Sequence, residues 1–222
     1  MRRSINRLIR SLVKNVELEG PIYEFGSYQV AGQEGRSRLR DFFPGKEYVG
    51  CDLREGPGVD RILDLQRIDL PDASVGTVIV LDVLEHVEFC RRAMEEIHRV
   101  LKPGGVAIIT SVMYFPIHDY PSDYWRFTPS GFKSLLSPFP VSIIESAGLS
   151  AFPPIVLAIG FKGEVPDERV KAFREAVASW KRRIGNFWQE LAAILLPPII
   201  FVHLYPLYRR IEAGLKRRKA LS

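Results

Sequence analysis

The sequence predicts an α/β protein whose sheet is mostly parallel and covered by helices on both faces, and three observations carry this. Thr77-Val78-Ile79-Val80-Leu81 is an apolar run without polar alternation, too short for a stable helix and suited to a strand buried on both sides. Val87, Met94, Ile97, Val100 and Leu101 then recur at helical spacing, with Arg91, Arg92, Glu95, Glu96 and Arg99 between them as a wet face. Lys102-Pro103-Gly104-Gly105 stops that helix, at Pro103, and reverses the chain into a second apolar run, Val106 to Thr110. Strand, helix and strand in this order form a right-handed parallel crossover, and such sheets bind ligands beyond the carboxyl ends of their strands. Asp82, directly after the first run, stands at one such end.

The chain has 222 residues, 46% of them hydrophobic, which permits a substantial core. Cys51 and Cys90 have no metal-ligand or redox spacing, so buried free thiols in a reducing cytoplasm are expected. Charge is unevenly distributed. Residues 1–19 carry five basic and two acidic side chains (+3), residues 167–222 twelve and five (+7), and residues 20–166 fourteen and nineteen (−5). An acidic middle argues against a broad nucleic-acid face, while basic ends suit anionic surfaces. The first sixteen residues lack the uninterrupted apolar segment and cleavage site of a secretory signal, so no export is expected.

Ile5, Leu8, Ile9, Leu12, Val13 and Val16 fall on one helical stripe among Arg2, Arg3, Arg7, Arg10 and Lys14. This basic amphipathic helix, residues 1–19, is expected to cap the sheet or the mouth of the site, or to lie on a membrane surface. Pro21 to Gly26 reads as a short strand ending in Glu24 and a glycine, where backbone can approach a nucleotide-type ligand closely. An ordinary strand-to-helix turn reads equally well, because the glycine-rich signature is incomplete: Gly26 and Gly32 are present and those expected between them are not. Gln33 to Phe43 is expected to be helical, stopped by Pro44-Gly45. Glu47 to Asp52 reads as a second strand. Asp52 could accept both hydroxyls of a ribose, or simply cap a strand end. Val59 to Leu65 supplies a third short strand ending at Asp64, and Asp69 to Ser74 is turn chemistry before the Thr77–Leu81 run.

Tyr48-Val49-Gly50-Cys51-Asp52, Leu81-Asp82-Val83-Leu84-Glu85-His86-Val87 and Arg99-Val100-Leu101-Lys102-Pro103-Gly104-Gly105 together resemble the class I S-adenosylmethionine-dependent methyltransferases, small-molecule methylases among them. The resemblance covers about Pro21 to Lys162. It implies a Rossmann-like seven-stranded sheet with one antiparallel strand, S-adenosyl-L-methionine as cofactor, and a methyltransferase domain over residues 20–165 between the N-terminal helix and a helical, apolar and basic extension, 166–222. It also implies Glu24 and Gly26 at the methionine part of the cofactor, Asp52 at the ribose with Leu53 beside it, Asp64 and Leu65 at the adenine edge, and Asp82 at the floor of the methyl-transfer site. A sulfonium methyl donor needs no metal, so no metal ligands are expected; the protein aligns the groups and removes a proton where the acceptor requires it.

Ser111 to Thr128 hangs over the same sheet edge as a dense aromatic and polar loop. His118 with Asp119 offers a base and a charge to raise its basicity, while Tyr120, Tyr124, Trp125 and Arg126 offer stacking surfaces and an anion partner for an acceptor. Aromatic packing around an ordinary histidine is the alternative reading. His86 is expected to cap or pack and His98 to face solvent. Thr128-Pro129-Ser130 starts a further helix, Val141 to Ser146 and Ile155 to Phe161 are the last two strands, and Asp167 to Phe187 is an amphipathic helix.

Leu191 to Tyr208 is uncharged, interrupted by three prolines and a histidine, and flanked by Lys181-Arg182-Arg183, Arg209-Arg210 and Lys216 to Lys219. An interfacial or re-entrant anchor over 191–219 is the preferred reading, ahead of packing on the domain or a second subunit, or a true span. The expected function is therefore a cytoplasmic methyltransferase, peripheral at the inner membrane face, acting on a small, lipid-linked or sugar-containing acceptor. The alternative is a binding or regulatory protein that keeps the fold without turnover. A nucleic-acid methylase is disfavoured by the acidic middle and the lack of a base-handling motif.

Overall fold

The computed structural model describes residues 3–30, 38–118, 122–148 and 153–182, which belong to the compact unit spanning residues 1–184. In chain order the elements are α1 (Arg3–Asn15), β1 (Ile22–Phe25), a 3-10 turn (Leu39–Phe42), β2 (Tyr48–Asp52), β3 (Arg61–Ile62) and β4 (Val75–Leu81). There follow a 3-10 turn (Leu84–His86), α2 (Cys90–Val100), β5 (Leu101–Ser111), α3 (Pro129–Leu135), β6 (Val141–Ala147), β7 (Ile155–Phe161) and α4 (Asp167–Arg182). The seven strands form one sheet in the order β3-β2-β1-β4-β5-β7-β6, and β7 alone runs antiparallel to its neighbours.

Each central strand divides its side chains between two apolar layers, which is why its sequence reads as an unbroken apolar run. Val78 and Val80 of β4 and Ala107 and Ile109 of β5 join Met94 and Ile97 of α2 and Phe132 of α3 on one face. Ile79, Val106 and Ile108 join Phe173 and Trp180 of α4 and Ile5, Leu8, Ile9 and Leu12 of α1 on the other. The stripe of α1 is therefore consumed by the core: these four residues are fully buried, the Trp180 indole N–H donates to Ser4 O (2.7 Å) and the Ser11 hydroxyl to Ala176 O (2.9 Å). Of the two readings of this helix, sheet cover is the one observed.

Several expected elements take other bounds. In the stretch 33–43 only Leu39–Phe42 is helical, as a single 3-10 turn, and 33–37 lies outside the described residues. The third strand shrinks to Arg61–Ile62, because its neighbours Leu63 and Leu65 turn into the core while Asp64 makes an isolated bridge with Arg67. Helix α2 ends at Val100 rather than at Pro103: Leu101 already pairs with Val75, and Lys102 to Gly105 form an irregularity before Thr77 pairs with Val106. Thr128 caps α3 as expected, its hydroxyl accepting the Gly131 N–H at 3.0 Å. His98 is half-buried with its ring edge-on to Phe139, not turned to solvent. Both cysteines are free and buried, and burial pushes their thiols up to about 12 for Cys51 and about 11 for Cys90. No helix among the described residues is long and apolar enough to cross a membrane. The apolar stretch 191–208 and its basic flanks, beginning at Arg183, lie outside the described residues.

Candidate active site

The register of the sheet brings the strand tips to one edge. Phe25 lies opposite Cys51 of β2 and Val80 of β4, Asp52 opposite Ile62 of β3, and Leu81 opposite Thr110 of β5. One step along from Phe25, Gly26 is level with Asp52 and Leu81, and Asp64 and Asp82 extend beyond the same carboxyl edge. Glu24 lies deeper, opposite Gly50 and Ile79.

Gly26 has φ +84°, and a Cβ added there would stand 2.2 Å from Val83 Cγ2, so the turn after β1 admits only glycine. The N–H groups of Gly26 and Ser27 both donate to Cys51 O, at 2.8 and 3.0 Å, tying this turn to β2. Asp52 is buried against it. Its Oδ1 accepts the Arg54 backbone N–H (3.0 Å) and Nε–H (3.1 Å), and its Oδ2 accepts the Tyr28 N–H (3.4 Å). The Arg54 guanidinium lies 4.4 Å over the Tyr28 ring, and its side chain is 58% exposed. Leu53, next along, is 67% exposed at the rim.

Glu24 takes a different position from the other acids. Its Oε2 accepts the Tyr48 hydroxyl at 2.5 Å, and burial pushes the carboxyl up to about 7 against the opposing pull of Tyr48 and Arg40. Burial and the neighbouring Glu24 likewise push the Tyr48 hydroxyl up. A cleft of about 430 Å3 opens here, with Ser27, Arg40, Tyr48, Gly58 and Asp60 in its walls, and Glu24 is the only one of the four strand-tip acids that lines it. Asp64 folds into a tight turn, its Oδ1 accepting the Gln66 N–H at 2.8 Å. Leu65 is buried in the core, so the side chain expected at an adenine edge faces inward.

At the tip of β4, Asp82 adopts φ +54°, its N–H donates to Thr110 O (2.9 Å) and its Oδ1 accepts the Thr110 hydroxyl (3.1 Å). Left-handed backbone at a non-glycine residue costs about 1–3 kcal/mol and persists where the surroundings over-determine it. The strained corner launches the 3-10 turn that buries Glu85. Glu85 Oε2 accepts the Ser111 hydroxyl at 2.6 Å, while Oε1 is buried without a hydrogen-bond partner. Burial pushes this carboxyl up to about 7, and Asp82 adds to the effect.

The loop after β5 folds back over that turn. The N–H groups of Tyr124 and Trp125 donate to Glu85 O (2.9 and 3.2 Å), and the Trp125 indole N–H to Val87 O (3.0 Å). His86 Nδ1 is 2.8 Å from Ser122 O. His118 rests edge-on between His86 and Phe115, with ring centroids 4.8 and 4.9 Å away. Its partner carboxylate is Asp123, which accepts the His118 backbone N–H (2.8 Å) and stands 3.2 Å from Nδ1, out of line for a hydrogen bond. Asp119 and Tyr120, the other expected members, lie outside the described residues.

Arg126 departs from its expected role as an anion partner for the acceptor. Its five N–H donors go to Phe115 O, Pro116 O, Trp125 O and both oxygens of Asp123, so it braces the loop and leaves no donor for a ligand. That pairing holds the Asp123 carboxyl well below the usual range. Tyr124 and Trp125 remain about half exposed, as stacking surfaces would be. Sequence reasoning gave no role to Glu85 or Arg54, and placed Asp123 only among the polar residues near His118, with Asp119 as its expected carboxylate. The signal for Glu85 was its place in Asp82-Val83-Leu84-Glu85-His86, a buried-type acid one turn past the strand tip.

An open, mostly parallel sheet in this order, with the acid-tipped edge and one reversed strand, defines the class I methyltransferase architecture. A family model described as "Methyltransferase domain" matches residues 37–109. A probable S-adenosylmethionine-dependent methyltransferase of Mycolicibacterium smegmatis is 34% identical over 77 residues, covering 33% of this chain and 27% of that protein. The chain thus aligns with about a quarter of the length of that curated relative. Among solved structures, a SAM-dependent methyltransferase from Archaeoglobus fulgidus superposes with a TM-score of 0.55 at 14% identity, over 72% of this chain and 95% of the other. The Burkholderia thailandensis 1,6-didemethyltoxoflavin-N1-methyltransferase, with 1,6-didemethyltoxoflavin and S-adenosylhomocysteine bound, gives 0.54 at 15% identity, over 73% and 79%. The described unit therefore has the fold of the class I methyltransferases, and its residues 37–109 match the methyltransferase family model.

Proposed function

We propose that this chain transfers a methyl group from S-adenosyl-L-methionine to a small-molecule acceptor bound under the loop 112–128. The observation that carries the reading is the alignment of Gly26, Asp52 and Asp82 at one carboxyl edge of the sheet. The residues fit the cofactor. The bare backbone at Gly26 permits close approach, the Asp52 carboxylate is the chemistry a ribose diol requires, and exposed Leu53 offers an apolar surface beside it. The cofactor supplies a methyl group on a cationic sulfur that departs as a neutral thioether. The chain's part is to hold Asp52 toward the sugar and Asp82 at the floor, and to align the acceptor. Because Arg54 already bonds Asp52, a ribose must displace the guanidinium, and the exposure of that side chain makes the movement inexpensive. On the acceptor side His118, beside Asp123, is the group able to receive a proton or a hydrogen bond.

S-adenosylmethionine is expected to raise the melting temperature of the protein, and Asp52→Ala to abolish most of that shift while leaving the unliganded melting temperature within a few degrees. An undiminished shift in the variant would remove Asp52 from the ribose. Binding without any transfer of labelled methyl to small molecules of a cell extract would favour the non-catalytic reading, which the incomplete loop Gly26 to Gly32 supports. The finer reading of a lipid-linked or sugar-containing acceptor, met at the inner face of a membrane, is supported by the uncharged stretch 191–208 between basic clusters.

A further inference from the structure

We propose that Glu85, His86 and His118 form a binding site for one first-row divalent metal ion, with zinc as the best-matched ion. One ligand atom from each residue lies within 4.8 Å of the others. Ligand bonds of about 2.0–2.2 Å put neighbouring donors in a tetrahedral site about 3.4 Å apart, so small side-chain rotations close the set. Three features beyond proximity point to a cation. The first is Glu85, fully buried with Ser111 on one oxygen and no hydrogen-bond partner on the other, a carboxylate with an acceptor atom to offer beside the two imidazoles.

The second is the tautomer of His86. A carbonyl oxygen can only accept, so Nδ1 carries the proton in the contact with Ser122 O and Nε2 keeps its lone pair. The third is Asp123, 3.2 Å from His118 Nδ1 and itself fixed by Arg126, a carboxylate that becomes the outer partner of a ligating histidine once the ring turns to bring Nδ1–H into line. Two imidazoles and one carboxylate with the fourth direction open is a donor set for zinc or its neighbours rather than for magnesium or calcium. The ligands come from the turn after β4 and the loop after β5, which the Tyr124 and Trp125 bonds to Glu85 O hold together.

The role of such an ion rests on the methyltransferase reading. Placed three residues from Asp82, it would bind an acceptor hydroxyl and lower that hydroxyl's pKa, and His118 would then serve as ligand rather than proton acceptor. Metal binding itself is independent of that reading and is tested without the cofactor. Tag-free, chelator-stripped protein titrated calorimetrically with Zn2+ is expected to bind one equivalent at micromolar affinity or better. Co2+ should give visible absorption bands of a four- or five-coordinate site. His118→Ala, on the partly exposed loop, and Glu85→Gln, which keeps the bond to Ser111, should each weaken Zn2+ at least about 100-fold with unchanged far-ultraviolet circular dichroism. Binding no tighter than millimolar, or variants that bind as well as the parent, would overturn the site. S-adenosylmethionine binding measured on the same stripped protein separates this failure from failure of the methyltransferase assignment.

Discussion

Glu24 illustrates what a single buried carboxyl does to the whole chain. Unfolded, it ionises near 4.5, whereas in the fold it keeps its proton up to about 7, because burial penalises the charged form by more than the Tyr48 hydrogen bond and Arg40 favour it. Between those values the folded state holds a proton that the unfolded state has released, so stability declines as pH rises and levels off above about 7. At about 1.4 kcal/mol per pH unit the loss approaches roughly 3 kcal/mol. Glu24→Gln preserves an acceptor for the Tyr48 hydroxyl and removes the ionisation. Melting temperatures of the two proteins without cofactor should therefore diverge in favour of the variant between pH 5 and 8. A gap that stays constant across that range would mean Glu24 titrates as an ordinary surface acid. Sequence showed this acid at a strand tip but not its depth. That depends on Tyr48 and Arg40 arriving on the same face of the sheet.

Within the described part of the loop after β5, one guanidinium ties Phe115 and Pro116 to Asp123 and Trp125. Arg126→Ala would strip the Asp123 carboxylate, its side chain 2% exposed, of two hydrogen bonds and leave three loop carbonyls without that donor, a loss on the order of 2–3 kcal/mol confined to the loop. Faster amide exchange at residues 123–127 with unchanged exchange in β4 and β5 is the expected result; equal loosening of the sheet would show the bracing to be global. Elements made of apolar runs, β4, β5 and β7, were legible in the sequence because both their faces are buried and their composition says so. Elements fixed by long-range polar contacts were not. The residue types in Ser111 to Thr128 announced chemistry, yet only the folded loop shows Arg126 turned inward and His118 brought beside His86 and Glu85. The short β3 escaped for a similar reason: Leu63 and Leu65 look like strand residues, and the core takes their side chains in a turn instead.

At the scale of the whole molecule, the basic N-terminal helix is accounted for by the core. The stripe of α1 is enclosed by α4 and the sheet, so affinity for a lipid surface has to come from residues 191–219 if the anchor reading holds. The 222-residue chain is expected to co-sediment with vesicles of phosphatidylcholine and phosphatidylglycerol at low salt and to be released as salt rises. Replacing Arg217 and Arg218 by Gln should weaken that binding, and Arg7→Gln on exposed α1 should not; equal effects of both would return the surface to the N-terminal helix. The parallel β4–α2–β5 crossover and the acid-tipped edge were legible as an apolar strand, an amphipathic helix and a second apolar strand, whereas the seven-stranded sheet with its reversed strand came with the family resemblance: no helix is described between β2 and β3, β3 and β4, or β6 and β7. The union of the turn after β4 with the loop after β5 bears on engineering. Since the Tyr124 and Trp125 N–H groups donate to the carbonyl of Glu85, a loop grafted from another methylase to change acceptor preference would have to meet that same carbonyl, and the corner and the loop are best exchanged together.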